Sequence, residues 1–135
     1  MSQQRVDTVR LLLGAPHGAS PRVRDSRQQL ALHRAAAVGS VPLITLLVDA
    51  GSSLNATDVD GMTPLHHAIA EGWGDAAVAL LRRGADSGTP DKEGRLAIEL
   101  APDRKVYTWI VSTAREDGLV LTLPERDRAE AGSAE

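Results

Sequence analysis

Asp58-Val-Asp-Gly-Met-Thr-Pro-Leu-His-His-Ala-Ile-Ala-Glu-Gly72, an apolar run to Leu80-Leu81, then Gly84-Ala-Asp86: this stretch decides the fold of the chain. Thr63 before Pro64 reads as a helix start. The hydroxyl caps a free N–H, and proline at the first helical position gives up no hydrogen bond. Leu65, Ala68 and Ile69 then recur at the three-to-four-residue spacing of one buried helical face. Gly72 supplies the left-handed residue that ends this helix. Asp75 is expected to cap a second helix carrying Val78, Leu80 and Leu81, and Gly84 turns the chain out again. Two short antiparallel helices and a projecting hairpin result.

The same plan recurs every 33 residues, with Asp25, Asp58 and Asp91 opening the copies. Leu32, Leu65 and Ile98 share one offset, and Ala35, Ala68 and Ala101 another. Gly39 matches Gly72, and Gly51 matches Gly84. In the first copy Leu30-Ala31-Leu32-His33 replaces Thr-Pro-Leu-His, and Gln28 stands where the turn glycine belongs. Each change is expected to loosen its cap or turn by about 1 kcal/mol. In the last copy Leu96-Ala97-Ile98-Glu99 lacks both Pro and His, Pro102 ends the first helix early, and a longer helix follows from about Asp103 to Asp117. Upstream, Val6 to Leu13 reads as the second helix of a unit whose first helix does not precede it.

A 33-residue unit of a turn and two helices resembles the ankyrin repeat. The expected fold is all-α: a solenoid of about three and a half helix-turn-helix units with short β-hairpin turns. The boundaries are a partial repeat at 1–24, repeats at 25–57 and 58–90, a closing repeat at 91–118, and a tail at 119–135 expected to be largely disordered. Within that tail, Leu119 to Leu123 could add a short strand or pack on the last helix.

Composition agrees with a stack of thin helices. The only aromatic residues are Trp73, Tyr107 and Trp109, so Leu, Ala and Val must fill the core. Cysteine is absent, which excludes disulfides and thiolate metal sites. No apolar run approaches the roughly 20 residues of a membrane span. A net charge of −3 argues against a general nucleic-acid binder. Expected localisation is therefore cytoplasmic and nuclear.

His66 and His67, with Asp58, Asp60 and Glu71 nearby, raise the idea of a metal-dependent hydrolase. Consecutive helical residues point about 100° apart, so the two rings are poorly placed to share an ion. His33 also recurs at the His66 offset, as a structural role requires. The Asp58-Val-Asp-Gly run lacks the later carboxylate of a calcium loop. Gly-rich phosphate motifs and a serine nucleophile elbow are absent. The reading is non-catalytic, with no metal and no cofactor. His33, His66, Thr63, Pro64, Gly72 and Gly84 are assigned structural roles.

What remains is a surface. Repeat offsets place Arg27, Gln29, Val38, Val59, Asp60, Met62, Glu71, Trp73, Lys92, Glu93 and Arg95 on one concave protein-binding face. Its mixed charges suit a partner carrying both signs. Trp73 reads either as a binding hot spot or as local packing against the neighbouring loop.

Three segments carry a closer likeness: Gln29-Leu-Ala-Leu-His-Arg-Ala-Ala-Ala-Val-Gly39, Leu54-Asn-Ala-Thr-Asp-Val-Asp-Gly61, and Asp91-Lys-Glu-Gly-Arg-Leu-Ala-Ile-Glu-Leu-Ala-Pro-Asp103. Together they resemble the C-terminal units of gankyrin-type proteins, the ankyrin chaperones of proteasome regulatory-particle assembly. The resemblance implies a concave face that grips the C-terminal domain of one proteasomal ATPase subunit and holds off premature docking on the core particle. The alternative is another binding module, such as an ankyrin-type cyclin-dependent kinase inhibitor or an adaptor. A monomer is expected, with an open N-terminal edge that could self-associate.

Overall fold

The computed structural model describes residues 23–127, so the expected helix at Val6 to Leu13 and most of the partial repeat lie outside the described residues. Five α-helices follow in order: α1 (Ala31–Ala37), α2 (Val41–Asp49), α3 (Pro64–Ala70), α4 (Gly74–Arg82) and α5 (Arg104–Glu116). One 3₁₀ turn, Ala97–Leu100, takes the place of an inner helix before α5. The described residues contain no strand; the hairpins are closed turns.

Each inner helix packs on its own outer helix and on the next inner element, and the outer helices stack likewise, making a two-layer solenoid. Leu32, Leu65 and Ile98, at the one repeat offset, are fully buried, as are Ile44, Leu80 and Ile110 of the outer layer. Burying such a side chain stabilises by about 1.5–3 kcal/mol. Ala36, Ala68, Ala76 and Ala97 are also fully buried. Their small size lets the layers close without voids, which costs more the larger the gap.

Local sequence accounts for each helix end. Thr63 Oγ1 accepts from the His66 N–H and Pro64 begins α3. Gly72 and Gly84, with φ of 81° and 92°, sit just past the ends of α3 and α4 in the left-handed region. Ser40 caps α2 through the Leu43 N–H, and Asp103 caps α5 through the Val106 N–H. Asp75 is the exception. α4 starts one residue before it, with Trp73 at the cap position and no side-chain capping bond. Asp75 lies inside the first turn, where its carboxylate accepts from the Ala76 N–H and faces the positive end of the helix dipole.

The first part of the tail is ordered rather than disordered, and it takes one of the two placements expected for Leu119 to Leu123, packing on the last helix. Leu119, Leu121 and Leu123 are partly buried against the core, the Thr122 N–H donates to Ser87 Oγ, and the Tyr107 hydroxyl donates to Asp127. Residues 119–127 thus form a strap along the last outer helix. An alternating Leu-x-Leu-x-Leu pattern puts three apolar side chains on one side of an extended segment, and α5 offers Val111 and Ala114 beneath it.

Candidate protein-binding surfaces

The hairpin tips are built by the three opening aspartates. Asp25 Oδ1 accepts from the Arg27 and Gln29 N–H groups, Asp58 Oδ1 from Asp60 and Met62, and Asp91 Oδ1 from Glu93 and Arg95. One carboxylate oxygen therefore closes each five-residue loop. Burial pushes Asp58 and Asp91 upward, but hydrogen bonds outweigh it, from the His67 ring and then the loop N–H groups at Asp58 and from the loop N–H groups and the Arg95 side chain at Asp91, and both titrate below the ordinary carboxylate value.

Neighbouring tips are joined main chain to main chain. The Val59 N–H donates to the Arg27 carbonyl at 3.0 Å, and the Lys92 N–H to the Asp60 carbonyl at 3.1 Å. Arg27 and Asp60 also approach to 3.8 Å, both largely exposed. Arg95 turns back on Asp91 at 3.0 Å and Glu93 at 3.4 Å. Arg27, Gln29, Val59, Asp60, Met62, Lys92, Glu93 and Arg95 consequently form one row. Lys92 has no charged partner among the described residues, whereas Gln29 is held by Asp58 Oδ2 at 3.2 Å.

Beneath the tips two buried histidines link successive repeats. His33 Nδ1 accepts from the Leu30 N–H, while Nε2 donates to the carbonyls of Ala56 and Met62. His66 repeats this: Nδ1 takes the Thr63 N–H, and Nε2 reaches the Arg95 carbonyl. Each ring ties its own helix start to the following tip. This geometry needs the neutral Nε2–H tautomer, and burial holds both rings below the ordinary imidazole value. His67 turns elsewhere, with Nε2 at 2.8 Å from Asp58 Oδ2 and its ring edge-on to His33. The adjacent His66 and His67 are committed to different partners.

Val38, Glu71 and Trp73 do not join the tip row. They sit past the far ends of the inner helices, roughly 10 Å of helix away. Trp73 donates its indole N–H to the Ala37 carbonyl and lies on Gly39, where a Cβ would fall 2.5 Å from the ring. It packs locally and remains 43% exposed. Between the rows, α1 exposes Arg34 at the His67 offset, a residue the sequence reading passed over. Projecting His67 back one repeat would have found it.

Trp109 was also missed as a surface residue. It lies on Gly74, where a Cβ would come within 2.6 Å of the ring, and is 48% exposed. A groove of about 390 Å³ runs beside it, lined by Gly72, Gly74, Asp75, Lys105, Val106 and Trp109. The available signal was its place about one repeat after Trp73 in a chain so poor in aromatics.

Comparison with known proteins matches the architecture. A family model described as ankyrin repeats (3 copies) covers residues 1–91. The chain is 48% identical over 98 residues to the Saccharomyces cerevisiae protein named "Probable 26S proteasome regulatory subunit p28", a match covering 71% of this chain and 43% of that protein. It is 34% identical over 115 residues to the Arabidopsis thaliana "E3 ubiquitin-protein ligase KEG", with 81% of this chain and 7% of the relative covered. With human "Protein phosphatase 1 regulatory subunit 27" it shares 38% identity over 76 residues, covering 56% and 49%. The chain thus spans less than half the length of each of these relatives. No helix among the described residues is long and apolar enough to cross a membrane. Repeat spacing, helix pairing and the family match converge, and the chain belongs to the ankyrin-repeat family.

Proposed function

We propose that this ankyrin array is a non-catalytic binding module for proteasome regulatory-particle assembly, its concave face taking the C-terminal domain of one proteasomal ATPase subunit. The reading rests on the 48% identity to the yeast protein named as a probable proteasome regulatory subunit. The tip row favours it as well, because Arg27, Asp60, Lys92 and Glu93 present both charge signs to a partner. On this reading the mechanism is steric. A bound chaperone blocks premature contact of the ATPase with the core particle and then leaves, with no cofactor, in the cytoplasm and nucleus.

Calorimetric titration against the separate C-terminal domains of the six ATPase subunits tests this. Saturable binding to one of them, weakened by Lys92→Glu, is the expected result. Lys92 is a cleaner probe than Arg95, whose guanidinium also holds its own hairpin through Asp91. Absence of binding to all six, in this chain and in one extended by N-terminal repeats, would rule the reading out.

A further inference from the structure

The two interfaces between the three described units differ at one repeat offset. Trp73 and Val106 stand at that offset, and so, one position earlier, do Gly39 and Gly72, the glycines of the preceding unit that they face. At the first interface the Trp73 ring lies tight on Gly39, where a Cβ would fall 2.5 Å from it, and its indole N–H is spent on the Ala37 carbonyl. At the second, a Cβ on Gly72 would meet Pro102 at 3.4 Å and Val106 at 3.9 Å, both ordinary contacts. The groove of about 390 Å³ lies here, with Gly72 and Val106 among its walls. A valine thus leaves open at the second interface what a tryptophan of the chain fills at the first.

The other walls differ in the same sense. Gly74 stands where the first interface has Val41, and Trp109 where it has the fully buried Ala76. Trp109 is seated on Gly74 and half exposed, so part of its ring faces the groove rather than the core. Two glycines, an aliphatic side chain and an indole therefore make a mostly apolar slot of the size that takes a small ligand or one large side chain. One acid and one base complete it. Asp75 has one oxygen on the Ala76 N–H, and the other accepts nothing among the described residues. Lys105 has no charged partner among the described residues, and the two form no ion pair with each other.

We propose that this groove takes a tryptophan side chain of another protein, presented beside an acidic residue. The first interface shows which ring suits the space between these units, because the chain places its own indole there. An incoming indole packs on Val106 and against the Trp109 ring, as aromatic pairs do in offset or edge-to-face contact. Its N–H donates to the unused Asp75 oxygen, a bond strengthened by the carboxylate charge. Phenylalanine has no donor and would desolvate that oxygen without replacing its water. Lys105 pairs with the neighbouring carboxylate, and it repels a basic neighbour in the same position. Large aromatic anchors held in a pocket dominate many interfaces in this way. The groove lies at the far end of the inner helices from the tip row, so it adds a second partner rather than restating the first.

The test uses the whole chain labelled with ¹⁵N, its two indole N–H resonances assigned from Trp73→Phe and Trp109→Phe. The probe is an unlabelled, blocked synthetic peptide with Asp-Trp at its centre and flexible Gly/Ser flanks. The expected result is a saturable shift of the Trp109 indole and of the Gly72 and Gly74 amides, with the Trp73 indole unmoved. A peptide with Phe in place of Trp should bind about tenfold more weakly. Val106→Trp, which supplies the ring from within the chain as at the first interface, should abolish binding while the chain stays folded. Lys105→Glu, a surface change, should turn the preference from Asp-Trp to Lys-Trp, and Lys92→Glu should leave binding unchanged. Four results would overturn the proposal: no shift at millimolar peptide, equal binding of the Phe peptide, an unaltered preference in Lys105→Glu, or shifts that follow the concentration of the chain alone, which would assign the groove to a second copy.

Discussion

The middle repeat and the closing repeat begin with the same aspartate-closed hairpin and then part. After Asp58 the chain builds a two-turn helix started by Thr63 and Pro64 and locked by His66. After Asp91 it builds one 3₁₀ turn, with Glu99 at the histidine position and Pro102 soon after. His66 reaches forward to the Arg95 carbonyl of the following tip, whereas Glu99 turns back to its own Leu96 N–H. The histidine is thus a connector between repeats. Where residues 119–127 lie over the last outer helix instead of another repeat, a residue that serves only its own turn is sufficient.

The sharpest way to break this contrast is His66→Ala. It strands the buried Thr63 N–H and Arg95 carbonyl, and should lower stability by about 2–4 kcal/mol in urea unfolding, against under about 1 kcal/mol for Glu99→Ala. Equal losses would refute the connector role. Acid should act on the same bonds. Below about pH 6.5 the unfolded chain takes up protons that the buried rings of His33 and His66 refuse. Their contribution is complete above that pH and is lost as pH falls through the depressed folded values. Asp58 and Asp91, also depressed, hold their contribution until the pH drops below the ordinary carboxylate range. Tm should therefore be level above neutrality and fall in two stages on acidification. A Tm that rose below pH 6.5 would contradict the neutral tautomer.

Ending the chain at 118 should cost about 2–3 kcal/mol, since three half-buried leucines leave the surface of α5. An unchanged midpoint would show the strap to be passive. Gly61→Ala should cost about 1–2 kcal/mol more than strain alone, because a Cβ there meets the Lys92 nitrogen at 2.9 Å. Gly94→Ala should show only the strain of a φ of 79°, since no other atom lies within 4 Å of that Cβ. The difference between the two measures the contact between tips. The smallest effect runs the other way. Gln28 holds a φ of 63° where the other repeats have glycine, so Gln28→Gly should stabilise by about 1 kcal/mol.

Repeating offsets made most of this legible. Thr63, Pro64, Gly72 and the buried Leu, Ala and Ile positions act through neighbours a few residues away, and a helical period exposes such effects. Gln28 at a glycine position was readable for the same reason, and so was the short closing helix before Pro102. Asp75 misled because an aspartate near a helix start satisfies two positions equally well, and only the backbone distinguishes cap from first turn. The division between Trp73 and the tip row was hidden because sequence offset orders residues along one repeat but does not say which end of a helix they reach. Trp109 was hidden because its seat, Gly74, lies about 35 residues away and at a different repeat offset from the seat of Trp73, whereas the alternating leucines of 119–123 did allow packing on the last helix to be read.

Adjacent tips are fastened main chain to main chain, Val59 to Arg27 and Lys92 to Asp60. Buried histidines and the Gln29 contact with Asp58 add to these bonds, and on the outward row, among the described residues, only the exposed Arg27–Asp60 pair crosses between tips by charge. The chain therefore separates its frame from its address: residues 27, 59, 60, 92 and 93 can be rewritten for a new partner while the stacking of repeats is left as it was.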